Sequence, residues 1–125
     1  MKNEDICPVV DTLEFFNRKW ILCILMDMFR GNKHFSEFQE SNPSLNNFTL
    51  AQTLKYMEQN DLIIKIQDEN NRLNTEYSLT SKGKKVNRIL YEMTLFSLEE
   101  LECSELSSDK KEEILKEYKK SLGIN

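Results

Sequence analysis

The chain has 125 residues, enough for one domain with a core of its own and too few for two ordinary ones. Apolar residues make up 39% and charged residues 30%, the balance of a globular protein rather than a membrane or disordered one. Seventeen Lys and Arg against twenty-one Asp and Glu give a net charge of −4, which excludes a histone-like basic protein but leaves room for a local basic surface. That surface lies in the middle: residues 1–16 are net −3, 17–88 net +3 and 89–125 net −4.

Three cysteines, Cys7, Cys23 and Cys103, stand far apart with no C-x-x-C pair, and His34 is the one histidine. A structural zinc site needs four ligands at short spacings, so neither a metal nor a disulfide framework is expected. Met1 to Asp5 is polar and acidic, unlike a signal peptide. The longest apolar run, Trp20 to Met26, has seven residues, far below the roughly 20 of a membrane span. The expectation is a cytoplasmic protein without membrane contact. Gly31, Gly83 and Gly123 are isolated, so no phosphate-binding loop is available.

In chain order, Pro8 suits the first turn of a helix, and Val9, Leu13 and Phe16 follow at helical spacing. Asn17-Arg18 breaks it from the next. Trp20 to Phe29 is apolar at nine of ten positions, which predicts a central buried helix stopped by Gly31-Asn32. Ser36 to Gln39 has the form of a capping box opening a short third helix. Ser41 to Ser44 is turn chemistry. Asn46 or Asn47 then caps a fourth helix to about Gln59, with Leu50, Leu54 and Met57 on one face and Asn47, Phe48, Gln52 and Lys55 on the other. Leu62 to Gln67 reads as a strand, Asp68 to Asn71 as a turn, and Asn74 to Leu79 as the returning strand.

Thr80 is placed to cap one long helix to about Leu101. It carries two apolar stripes, Val86, Ile89, Leu90, Met93 and Leu101 on one side and Tyr91, Leu95 and Leu98 on the other, more than one core face requires. A last helix from Asp109 bears Ile114, Leu115, Tyr118 and Leu122. The fold class is mainly α with a small β-hairpin wing: a winged helix-turn-helix with dimerisation helices. In that order the second helix of the helix-turn-helix enters the major groove and the hairpin reaches beside it.

The residues themselves resemble a family at this point. Cys7-Pro8-Val9 with Arg18-Lys19-Trp20 resembles the C-P-[VI] … G-K-W opening of the HxlR family of winged-helix regulators, related to the MarR group. His34 to Phe38 resembles R-F-x-E-L. Leu45-Asn46 with Leu50, Leu54, Met57 and Glu58 to Leu62 resembles I-S-x-x-x-L-x-x-x-L-x-x-L-E-x-x-G-L, and Glu76 to Gly83 is similar to E-Y-x-L-T-x-x-G. The match covers about residues 7–100. Asn17-Arg18 stands where the family has paired glycines, Phe48 where a basic residue is common, and Asp61 where it has glycine.

The resemblance implies a homodimeric transcriptional regulator with no enzymatic activity and no cofactor, bound to a pseudo-palindromic site on double-stranded DNA. Residues 1–103 form the winged-helix and dimerisation unit and 104–125 a helical extension. Its DNA-binding candidates are Ser36, Asn46, Asn47, Phe48, Gln52, Lys55, Lys65 and Arg72. It also implies that Cys7, at the dimer contact, is a candidate sensor of a small oxidant or electrophile; the other reading of Cys7 is apolar packing there. Cys23 is expected to be buried and inert, and Cys103 a packed or solvated thiol. Trp20, Met26 and Met28 read as core rather than a drug pocket, and His34 as no metal ligand. Glu37 and Glu40 lack the companions of a catalytic pair. Lys82, Lys84, Lys85 and Arg88 are either phosphate contacts or a solvated face. The alternative function is a winged-helix protein-interaction module without specific DNA binding, favoured by the overall acidity, Phe48 and the Asp68-Glu69 wing tip.

Overall fold

Helix α1 spans Pro8–Phe15 in the computed structural model, which describes residues 6–125 with the exception of the side chains of residues 72 and 73. Pro8 sits in the first turn, where its missing N–H leaves no carbonyl unpaired. Thr12 Oγ1 donates to the Pro8 carbonyl at 2.8 Å. No α1 residue is buried: Val9 is 76% and Leu13 70% exposed, so only Phe15 and the following Phe16 lean on the core.

Helix α2, Ile21–Phe29, is the centre of the fold, with Ile21, Ile24, Leu25, Met26 and Met28 buried. Gly31 ends it at φ +109°, a conformation that side chains disfavour. Cys23, expected inside, is exposed. The helical period sends 21, 24, 25 and 28 inward and leaves 23 on the other side. A run that is apolar almost throughout carries no periodicity from which that face could be read.

Helix α3, Phe35–Ser41, has its N-cap two residues before the expected one. His34 is the N-cap residue, and Glu37 Oε1 accepts the N–H groups of Lys33 at 2.8 Å and His34 at 2.9 Å. Ser36 is therefore inside the first turn rather than at the cap. Gln39, expected at the third helical position, instead reaches forward to Asn47.

Helix α4, Asn47–Gln59, starts at Asn46, whose Oδ1 accepts the Thr49 N–H at 2.8 Å. Leu50, Thr53, Leu54 and Met57 are buried. Beyond its end Asp61 takes φ +62°, the left-handed conformation that glycine adopts most easily. Strands β1 (Ile63–Asp68) and β2 (Asn71–Leu79) form an antiparallel hairpin pairing Ile63 with Leu79 and Lys65 with Tyr77, with an irregularity between Ile66 and Asp68. The returning strand thus starts three residues earlier than its alternation indicates. Tyr77 N–H also donates to the Lys33 carbonyl at 2.8 Å, fastening the wing to the turn before α3.

The single long helix expected after Thr80 is two. Thr80 Oγ1 caps the short α5 (Ser81–Lys84) through the Gly83 N–H at 3.0 Å, and α6 runs Asn87–Glu100. The break follows from packing: a Cβ on Gly83 would lie 2.2 Å from the Leu62 carbonyl oxygen, so the chain runs against the base of the hairpin there and turns at Lys85. A 3-10 turn, Glu102–Glu105, leads to α7 (Ser108–Leu122), which packs along α6 and inserts Leu122 into the core. Asn87 Nδ2 donates to the Leu122 carbonyl at 2.8 Å, and Arg30 pairs with Glu117. The two stripes of the α6 region divide differently from the sequence pattern: Val86, Leu90 and Leu98 are buried, while Ile89, Met93, Phe96 and Leu101 face outward.

Candidate nucleic-acid interface

Helices α3 and α4 with the turn at Asn42 to Asn46 form a helix-turn-helix. Asn42 is buried and holds the turn through two bonds from Nδ2, to the Phe38 carbonyl at 2.8 Å and to Asp27 Oδ2 at 2.7 Å. Burial pushes the Asp27 carboxyl up, and the Asn42 bond and Arg30 offset part of that rise. Gln39 Nε2 donates to Asn47 Oδ1, so one helix of the motif grips the first turn of the other.

The buried stripe Leu50, Leu54 and Met57 fixes which side of α4 faces out. Asn47, Phe48, Ala51, Gln52 and Lys55 form an exposed ridge, with Phe48 70% exposed at its N-terminal end. Asn46 spends its side-chain oxygen on the cap and Asn47 on Gln39; these two hold the helix start. Ser36 is exposed in the first turn of α3, and Lys65 is exposed on β1. Arg72 falls on β2, but its side chain lies outside the described ones.

Several charged side chains are engaged in the fold. Lys82 Nζ donates to the Asn60 carbonyl at 3.0 Å and lies 4.7 Å from the Phe15 ring centroid, closing the end of α4. Lys33 Nζ is 3.7 Å from Glu76 Oε2. His34 Nδ1 is bonded to the Thr75 carbonyl oxygen at 3.0 Å, a structural contact between α3 and the wing. Tyr56 and Arg18 are the pair that the sequence pattern missed. Tyr56 Oη donates to the Phe15 carbonyl at 3.1 Å, and the Arg18 guanidinium covers its ring at 4.5 Å. The apolar stripe of α4 passes over Tyr56, and no local pattern links it to a residue 41 positions away.

Cys7 is the N-cap residue of α1 and is exposed, as is Cys103 on the 3-10 turn. Cys23 opens onto a groove of about 310 Å³ between α2, α6 and α7 that includes Met26, Asp27, Met93 and Tyr118. Its thiol pKa is raised by partial burial and by Asp27, with Lys19 working the other way.

This arrangement of a helix-turn-helix with a hairpin beside it is shared with known proteins. Residues 15–105 match the HxlR-like helix-turn-helix family. The chain belongs to the HxlR family. Its relatives are transcriptional regulators, not enzymes. This HxlR-family chain is 27% identical over 105 residues to the uncharacterized HTH-type transcriptional regulator YvaP of Bacillus subtilis, covering 83% of this chain and 97% of that one. A MarR-family transcriptional regulator structure from Porphyromonas gingivalis W83 superposes with a TM-score of 0.68 at 29% identity, over 81% of this chain and 98% of the other. The redox regulator HypR in its oxidized form gives a TM-score of 0.66 at 28% identity, over 73% and 94%. Among the described residues, no helix is long and apolar enough to cross a membrane.

Proposed function

We propose that this HxlR-family chain binds a pseudo-palindromic operator on double-stranded DNA as a homodimer in the cytoplasm. The observation that carries the reading is the ridge of α4. Its inner face is locked by Leu50, Leu54 and Met57, and its outer face offers Gln52 and Lys55 free of the core. Gln can hydrogen-bond an adenine edge, and Lys can bind guanine or phosphate. Ser36 and Lys65 serve as phosphate contacts, and Arg72, on the wing strand β2, is a further candidate. Asn46 and Asn47 fix the start of the helix against the duplex.

Dimerisation is supported by apolar surface that one chain does not cover: Ile6, Val9 and Leu13 on or beside α1, Met93 and Phe96 on α6, and Leu101 and Leu106 beyond it. Surface of that kind marks an interaction site. Two chains related by a two-fold axis set their α4 helices one DNA turn, about 34 Å, apart. Cys7 lies at the start of α1, within this surface, and is the thiol through which an oxidant or electrophile moves the interface. The similarity to a redox regulator supports that role. No cofactor enters the reading.

The second reading, a protein-interaction module, is favoured by the exposed aromatic ring of Phe48 on a ridge whose other large side chains are polar. Titration of the chain against a labelled duplex from upstream of its own gene, with a scrambled duplex as competitor, separates the two. Preferential binding with a steep salt dependence supports the regulator. Equal binding to both duplexes, or none, supports the module.

A further inference from the structure

Phe48 occupies the second position of α4, immediately after Asn47, with its ring 70% exposed. The core owes it nothing, since Leu50, Thr53, Leu54 and Met57 fill the inward face. It shares a helical row with Gln52 and Lys55, four and seven residues on, so the outward ridge runs from an apolar tip to a cationic middle. In helix-turn-helix docking the N-terminal residues of this helix meet base edges in the major groove. The groove floor presents hydrogen-bonding groups almost everywhere, and its one apolar group that projects from the base edges is the C5-methyl of thymine, the C5–H of cytosine offering far less surface. An aromatic ring at the tip of a polar ridge therefore has one complementary feature to meet there. A hydrogen-bonding edge set against the ring would lose water and gain no partner, so the same residue also selects against other bases.

We propose that Phe48 reads the methyl group of one thymine in each half-site. This rests on the DNA-binding reading above and names the specificity residue within it. The two-fold symmetry of the dimer places the two thymines at symmetric positions of the operator.

Replacing thymine by uracil removes the methyl group and leaves every hydrogen-bonding atom in place, so it isolates this contact. The test takes the duplex that the chain selects from its own upstream DNA and replaces each thymine in turn. Wild-type protein should lose about fourfold in affinity at one thymine of each half-site, the worth of one apolar carbon. Phe48→Ala should bind the thymine and uracil forms of that duplex equally, and Phe48→Leu should retain part of the difference. Thermal melting should be the same for Phe48→Ala and wild type, because the ring supports no core residue. Indifference of the wild type at every thymine, or undiminished methyl sensitivity in Phe48→Ala, overturns the proposal while leaving the operator reading intact. Failure to prefer any duplex overturns both.

Discussion

The hydroxyl of Tyr56 in α4 donates a hydrogen bond to the main-chain carbonyl oxygen of Phe15, the last residue of α1, at 3.1 Å. The Arg18 guanidinium lies over the same ring. One contact thus joins the helix that starts at Cys7 to the helix that carries the outward ridge. A displacement of α1 strains this bond directly, and α4 is the element on its other side.

Tyr56→Phe keeps the ring and its cationic cover but removes the donor. The Phe15 carbonyl then lacks this partner, which should cost about 0.5–1.5 kcal/mol of stability. A urea melt measures it, with an unchanged slope expected because the exposed surface hardly changes. Oxidant-driven release of DNA should also become weaker in this variant. Unaltered stability and unaltered release would mean that the contact carries no coupling.

Gly83→Ala tests the packing that divides α5 from α6. Its new Cβ would fall 2.2 Å from the Leu62 carbonyl oxygen and 3.2 Å from a Leu79 methyl carbon. Backbone at that distance has to move, so a loss of about 1–3 kcal/mol is expected, at the level of core overpacking. A drop in thermal midpoint checks it. Wild-type stability would show that the hairpin base yields freely.

Glu37 gives a pH signature. The N–H groups of Lys33 and then His34 hold its carboxyl below the ordinary value. A depressed carboxyl stabilises the fold above its unfolded pKa and loses that contribution as pH falls through the folded value. Glu37→Ala should therefore melt earlier than wild type at pH 7, and the two should converge in acid. A gap that persists unchanged below the carboxylate range would place the effect in packing rather than in the charged cap.

The thiols separate by environment. A quinone or diamide should lower the DNA affinity of wild type but not of Cys7→Ser, which should still bind when untreated. Cys23, although exposed, has its thiol pKa raised by partial burial and then by Asp27. Its alkylation should be slow at neutral pH and climb as pH passes the usual thiol range, because the thiolate is the reactive form. Asp27→Asn should speed it. Mass spectrometry of briefly alkylated protein follows each cysteine. DNA release that persists in Cys7→Ser would remove Cys7 from the sensing role.

Much of the fold was legible because local chemistry was unambiguous. Pro8 and the Asn46-Asn47 pair mark helix starts, the β-branched run at Leu62 to Ile66 marks a strand, and the Leu50, Leu54, Met57 row fixes the face of α4; the last helix, expected from Asp109, starts one residue earlier behind a Ser107 cap. What was not legible had two sources. The division at Lys85 follows from a contact distant in sequence, Gly83 meeting Leu62. The start of α3 is a local choice between two overlapping capping patterns, which Glu37 decides by reaching back to Lys33 and His34. The exposure of Cys23 depends on which side of an almost wholly apolar helix the remaining elements cover. Of the interface candidates, Phe48, Gln52 and Lys55 stand outward as their spacing indicates, and Ser36 and Lys65 are exposed. Asn46 and Asn47 hold the frame instead, a role decided by the neighbour each side chain meets.

The most direct test of the account is a fluorescence anisotropy titration of wild type and Lys55→Ala on the selected upstream duplex at one fixed salt concentration. Lys55 is exposed, off the buried stripe of α4 and in the middle of the outward ridge, so its loss leaves the fold intact. Removal of one base or phosphate contact should weaken binding by about 1–3 kcal/mol, with thermal melting unchanged. Equal affinity for the two proteins would contradict the placement of α4 in the major groove, and with it the DNA-binding reading of this surface.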